Sequence, residues 1–443
     1  MDPHPLPTYL SKVLALSPPQ STHPPSTLTG PLTSHTGLAY LFLAVSADHP
    51  RLQVHSYPAI HWARAYISNI PTPSAPITPF APGGGDDDDD DDRPSPAVLG
   101  LLSDGLAGPA VRACVTKDLA HVRVFLALLA QVVEYILSAP TAAAASSSSP
   151  SPAAALHAPS PLPPLPTCLL HGLAGTLYLL RLIRHWVPSS APLVSRAIVH
   201  VSDYLLSPST PWTCPSPSSS PADRHGVSHG VLGTLTQLVL TTPPLAPSLA
   251  PRLSALLDLQ LPDGDWPSPR DQQQQHHHDD DDPPETHASA PSGGVGFTSG
   301  PQGLVISLLS LRPFFPALQD RIDEAVRRAR EFLWAWVRDP GSSREANLFR
   351  GVLGTALAFP KGPQRTRFLA LAASPSPPPE TQPSSSTTTA FTTSTAAEVA
   401  AAAAAAGVAA TPGSLMTSPS PGSAWAHSVS ERELPRMILY NDV

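Results

Sequence analysis

Apolar residues along this chain gather into segments of helical length. Six of those segments open on one phrase: a polar residue or His, then Gly-x-x-Gly, then an apolar run. It reads SHTGLAYLFLAV at 34–45, with Ser34 in the first glycine's place, DGLAGPAVRACV at 104–115 and HGLAGTLYLLRLI at 171–183. It returns as HGVLGTLTQLVL at 229–240, SGPQGLVISLLSL at 299–311 and RGVLGTALAF at 350–359. The first-glycine places stand at 34, 105, 172, 230, 300 and 351, so the unit recurs every 51 to 71 residues. That spacing leaves room for two helices and a loop, and self-similarity at such a period marks a repeat architecture.

Between the phrases lie helices of a different kind. Residues 121–137, 191–206, 247–261 and 321–337 carry apolar positions at helical period with a polar opposite face. In 321–337, Ile322, Ala325, Val326, Phe332, Leu333, Trp336 and Val337 take one side and the arginines take the other. The phrase helices are apolar nearly all round, which predicts burial on every side. The pattern predicts an all-α protein in one domain over 1–443, with an inner ring of apolar helices inside an outer ring of amphipathic ones. Gly-x-x-Gly at each helix start predicts close backbone approach there, and first-turn amides left to face a ligand.

Composition narrows the picture. The chain has 58 prolines, and low-complexity tracts separate the helices at about 68–96, 138–166, 207–223, 271–292 and 374–414. Such tracts bury too little apolar surface to offset their ordering entropy, so they are expected to be disordered surface loops. The formal charge of −8 is dominated by the runs Asp86–Asp92 and Asp279–Asp282; without those 11 residues, 26 basic side chains face 23 acidic ones. A nearly neutral body gives no footing for nucleic acid. HHHDDDD at 276–282 reads as low-complexity filler. The N-terminus has no signal-peptide apolar core, and no uninterrupted apolar run reaches the ~20 residues of a spanning helix. The expectation is a cytoplasmic monomer with no transmembrane segment and no anchor signal for peripheral membrane association.

Three cysteines, Cys114, Cys168 and Cys214, form neither a disulfide framework nor a CxxC site. Cys168 precedes the third phrase and approaches the helix starts, Cys114 falls inside a helix, and Cys214 falls in a Pro/Ser tract.

The six phrases, the loop GDWPSP at 264–269 and the ending LYNDV at 439–443 resemble the lanthionine synthetase C-like family, especially its fungal-type members. The resemblance implies an α/α toroid of seven inner and seven outer helices. It implies peptide modification, in which a thiol, glutathione in eukaryotic members, adds to dehydrated Ser or Thr residues. Family enzymes hold zinc with two Cys and one His, and use a histidine of the fourth motif for proton transfer. His229 matches that acid/base position, although His171 fills the same place in the third unit.

The family's zinc motifs are altered. Thr298 stands where the first zinc Cys belongs, and Phe349 and Arg350 stand for the second Cys and the His. Thr is a poor zinc donor, Phe is none and Arg is a repelling cation. The seventh motif lacks Gly-x-x-Gly and carries prolines, which predicts a shortened or missing seventh inner helix. The expected protein is therefore a divergent member without zinc or another cofactor. It would bind peptide or glutathione, or act as a scaffold, with His229 as the acid/base candidate. Arg350, Thr298, Gly230, Gly300 and Gly351 are the binding candidates at the mouth. Two alternatives stand beside it: an active thiol-adding enzyme with a rebuilt zinc site, or with zinc motifs lost to a faulty gene model, and an unrelated toroid glycosidase. The last needs a carboxylate pair, and the motif loops offer only Asp104, Asp223, Asp263 and Asp265.

Overall fold

The computed structural model describes residues 5–24, 27–71, 73, 75–81, 95–96, 98–138, 164–212, 214, 225–267, 295–339, 344–373 and 414–443. The protein is all-α. The strands among the described residues are two short antiparallel pairs, Gln53–Val54 with Tyr57–Pro58 and Phe80–Ala81 with Ser95–Pro96.

Seven helices are buried on nearly every side: α2 (His35–Asp48), α4 (Asp104–Thr116), α6 (Leu173–Trp186), α8 (Val231–Thr241), α10 (Pro301–Leu311), α12 (Val352–Ala358) and α14 (Pro419–Ser428). Each packs on the next in that order, and α14 packs back on α2. Seven others bury mainly one face: α1 (Pro5–Leu16), α3 (Ala59–Ile67), α5 (Leu119–Ser138), α7 (Ala191–Leu206), α9 (Ala246–Leu257), α11 (Gln319–Arg338) and α13 (Pro363–Ala373). Each of α3 to α13 rests on the apolar helix before it, and α1 rests on α14. The first helix in the chain thus covers the last. Its Leu6, Leu10, Val13 and Leu14 form the buried stripe, a helix that sequence analysis did not anticipate.

The helix starts are sewn together by backbone hydrogen bonds between successive loops. Leu99 donates to His171 O at 2.7 Å, Leu169 to Ser228 O at 3.1 Å and Val227 to Thr298 O at 2.6 Å. Phe297 donates to Phe349 O at 2.7 Å, Phe349 to Met416 O at 3.2 Å and Met416 to Leu32 O at 3.4 Å. A side chain makes the remaining link, with the Asp104 carboxylate accepting from the Gly30 amide at 3.2 Å.

The glycines are required by this seam. A Cβ on Gly233 would land on the Val227 carbonyl, six residues earlier, and Gly37, Gly175, Gly303 and Gly354 repeat the relation with Pro31, Leu169, Phe297 and Leu348. The second unit departs from the pattern: α4 is capped by Ser103, and nothing approaches a Cβ on Gly108 closer than 3.8 Å. The first-turn amides expected to face a ligand are instead taken by the preceding loops. Leu173 donates to Pro166 O at 3.0 Å, Leu232 to His225 O at 3.4 Å and Val352 to Glu345 O at 2.9 Å.

A helix does form at the altered seventh position. Pro419 and Pro421 fall in the first turn of α14, where amides have no intrahelical partner to lose. The ending LYNDV runs among the apolar helices. Tyr440 O accepts from Arg181 at 2.6 Å and from Gln237 at 3.2 Å, and the Tyr440 hydroxyl pairs with Ser307 at 2.6 Å. Asp442 accepts from Tyr40 at 2.6 Å and Tyr178 at 3.0 Å. Burial pushes the Asp442 carboxyl above its ordinary range, against these hydrogen bonds. Leu439 adopts φ 61°, a left-handed conformation that costs a branched residue about 1–2 kcal/mol, and the hydrogen bonds on either side offset it.

The compositional loop boundaries were too wide. Ile70, Leu165 and Trp212 belong to the packed body, while most of the five tracts lies outside the described residues. Among the described residues only α5 is long and apolar enough to cross a membrane. It carries Arg123 and Glu134, and buries Val122, Phe125, Leu129 and Val132 against its neighbours.

The seam predicts opposite outcomes for two glycines. Gly233→Ala should destabilise by about 1–3 kcal/mol through overpacking. Gly108→Ala, whose Cβ would meet only ordinary van der Waals contacts in a helix interior, should stabilise by about 0.5–1 kcal/mol. Urea denaturation of both variants checks this; equal effects would rule out the packing role.

Candidate metal centre

The Leu169 and Leu170 amides both donate to the Ser228 carbonyl, at 3.1 and 3.3 Å. This joint lays the loop before α6 against the loop before α8. Cys168 and His171 on one loop therefore meet His229 on the other. Gly172 and Gly230 cap the two helices in extended conformation, so His171 and His229 occupy equivalent places and their rings stack at 5.5 Å.

Cys214 enters from the segment after α7. Its position is set two residues earlier by Trp212, whose indole N–H donates to Leu205 O at 2.6 Å and whose ring lies 3.9 Å from the Arg252 guanidinium. The Cys214 sulfur then sits 3.0 Å from Cys168 Sγ, 3.4 Å from His171 Nδ1 and 3.2 Å from His229 Nδ1. Cys168 Sγ lies 4.0 Å from His171 Nδ1. All four donor atoms fall within 4.8 Å of one another.

The electrostatics are uneven. The hydrogen bond from Cys168 holds the Cys214 thiol well below its ordinary range, against its own burial, and His171 and His229 add to the lowering. Burial, reinforced by the nearby Cys214, drives the Cys168 thiol the other way. Cys114 lies apart, fully buried in α4, and burial pushes its thiol up as well.

Two sulfurs and two imidazole nitrogens are zinc's preferred donors. Bonds of about 2.3 Å to sulfur and about 2.0 Å to nitrogen imply ligand–ligand edges of about 3.3–3.8 Å in a tetrahedron. Four of the six separations run from 3.0 to 4.0 Å and all fall within 4.8 Å, so the residues fit the ion after local adjustment of the two loops.

The other anticipated site residues lie at other helix starts. Thr298 is buried, and its carbonyl serves the seam to Val227 and Ser228. Phe349 is a core residue whose carbonyl accepts from Phe297. Arg350 is half-buried, its amide held by Asn347 Oδ1 at 2.8 Å and its side chain running past Gly296. Gly300 and Gly351 cap α10 and α12 as Gly230 caps α8. None of Thr298, Phe349 and Arg350 joins the Cys/His group. Asp104 is buried in the seam, and Asp223 lies outside the described residues.

Sequence reasoning noticed Cys168 near the mouth and His229 within its motif, but left Cys214 in a Pro/Ser tract and His171 as a repeat residue. The available signal was Trp212, a large aromatic inside that tract.

No family model matches the chain, and no curated protein matches it.

The geometry predicts about one zinc per chain in protein purified without chelator. Cys168→Ser and Cys214→Ser should each lower affinity at least ten-fold. Affinity should fall as pH falls, because the ligands must shed protons to bind. Elemental analysis after dialysis at stepped pH reads each outcome; equal zinc in wild type and both variants would exclude the site.

Proposed function

We propose that this chain is a divergent lanthionine synthetase C-like protein that adds a small thiol, glutathione or a peptide cysteine, to dehydrated Ser or Thr residues. On this reading the closed order of helix contacts is the α/α toroid of that family, and the seventh inner helix is α14, with α1 as its outer partner. The observation that carries the proposal is the donor set beside His229. Cys168, Cys214 and His171 reproduce the family's two-Cys, one-His set at a different part of the mouth. This favours the rebuilt zinc site over the zinc-lacking scaffold.

Cys168, Cys214 and His171 would hold the ion. An ion held there would lower the pKa of an incoming thiol, so that thiolate would be present at neutral pH. His229 has Nδ1 turned to the Cys214 sulfur, so Nε2 is the atom that gives a proton to the enolate carbon formed by addition. Burial of His229 and Ser228 keeps bulk water from competing for that proton. Arg350, at the start of α12, would meet the peptide, while Gly230, Gly300 and Gly351 are buried caps that hold the helix starts.

The test is glutathione addition to a dehydroalanine peptide, followed by mass. Wild type should form the adduct, and His229→Ala should slow it by about 10²–10⁴-fold, the usual contribution of general acid catalysis, with zinc retained. Adduct formation unaffected by His229→Ala would refute its role. Loss of zinc in that variant would make His229 a fourth ligand and the site a closed, structural one.

A further inference from the structure

The Cys168–Cys214 contact carries a second consequence, which rests on the proposed thiol chemistry for its choice of reactant. A bonded disulfide has sulfurs about 2.05 Å apart. Here the two cysteines are not disulfide-bonded and their sulfurs lie 3.0 Å apart, so bonding requires an approach of about 1 Å. The two residues differ in access. Cys168 is 1% exposed, held from behind by the Leu169 and Leu170 amides on Ser228. Cys214 is half-buried. One sulfur is therefore placed for attack from solution, and the other to resolve what forms.

We propose that Cys214 is a modification site for oxidised glutathione, resolved by Cys168, and that the resulting disulfide removes both sulfur donors and expels the metal.

The Cys214 sulfur attacks one sulfur of the oxidised glutathione disulfide. A protein–glutathione S–S bond forms, the glutathione S–S bond breaks and the first glutathione leaves as thiolate. Cys168 then attacks the Cys214 sulfur, the mixed disulfide breaks and a second glutathione leaves. With the metal held both sulfurs are thiolates, so each glutathione leaves as thiolate and takes its proton from solvent. Two electrons pass from the protein thiols to one glutathione disulfide, giving two reduced glutathiones. The oxidant is the oxidised form of the thiol the site would consume, so the site reports on its own substrate pool. Reduced glutathione reverses both steps.

Zinc-loaded full chain is incubated with oxidised glutathione at a fixed ratio to reduced glutathione. Zinc release is followed with a chromogenic chelator, and peptides are mapped without reduction. The expected result is a Cys168–Cys214 linked peptide, two mass units below the reduced pair, appearing together with zinc release. Cys114 should stay unmodified, as its full burial requires. Cys168→Ser should stop at a glutathione adduct on Cys214, which shows that the variant still folds the site, and Cys214→Ser should give neither product. The proposal is overturned if wild type keeps zinc and forms no 168–214 link, or if glutathione settles on Cys168 or Cys114. Those results leave the metal centre standing. A 168–214 link in protein that never held zinc would overturn the metal reading and the expulsion step while upholding the cysteine pair.

Discussion

The structure depends on how closely backbones approach at the helix starts. At every joint but that of Gly30 with the Asp104 carboxylate, loop amides donate to carbonyls of the next loop, and in five units the glycine at the third helical position clears the carbonyl six residues earlier. Backbone groups buried at such a crossing must find partners, and the neighbouring loop supplies them. The apolar helices can then be buried on every side, because their polar ends are satisfied by neighbours instead of water. Amphipathic helices cover the outside at modest cost, with exposed ion pairs such as Arg327–Glu324 and Arg312–Asp323 on α11 and its approach.

The candidate chemistry grows from the same seam. The paired amides on Ser228, with the Thr234 hydroxyl donating to Thr167 O, fix the loops carrying His171 and His229 against each other. With them, two equivalent repeat positions become neighbours and their imidazoles stack. Cys168 arrives with the first loop, and Cys214 is brought in by the Trp212 anchor. Three of the four donors follow from the repeat, and one is an addition to it.

This division explains what could be read in the sequence. Helical period and the recurring glycine phrase marked α2, α4, α6, α8, α10 and α12, because burial on all sides leaves an apolar run that composition exposes. The amphipathic α5, α7, α9 and α11 were equally plain. Missed were α1, whose partner α14 lies some four hundred residues away in the chain, α3, which is short, and α13, whose buried apolar residues are Phe368 and Leu369 alone. The second unit looked like the others in letters yet carries no close glycine contact, since spacing alone cannot report what a missing Cβ would touch. His229 was legible because it sits in a motif. Its partnership with Cys214 was not, because a loop's path across fifteen residues leaves no periodic trace. Thr298, Phe349 and Arg350 lie apart from the Cys/His group, and reading the altered motifs could not see donors gathered at other helix starts.

The account stands or falls on whether the sulfurs of Cys168 and Cys214 share one metal ion. X-ray absorption at the zinc edge of the purified full chain measures this directly. Two sulfur neighbours at about 2.3 Å with nitrogen at about 2.0 Å, one sulfur being lost in Cys214→Ser, is the predicted result. A shell of oxygen and nitrogen alone, or a spectrum unchanged by Cys214→Ser, would contradict it.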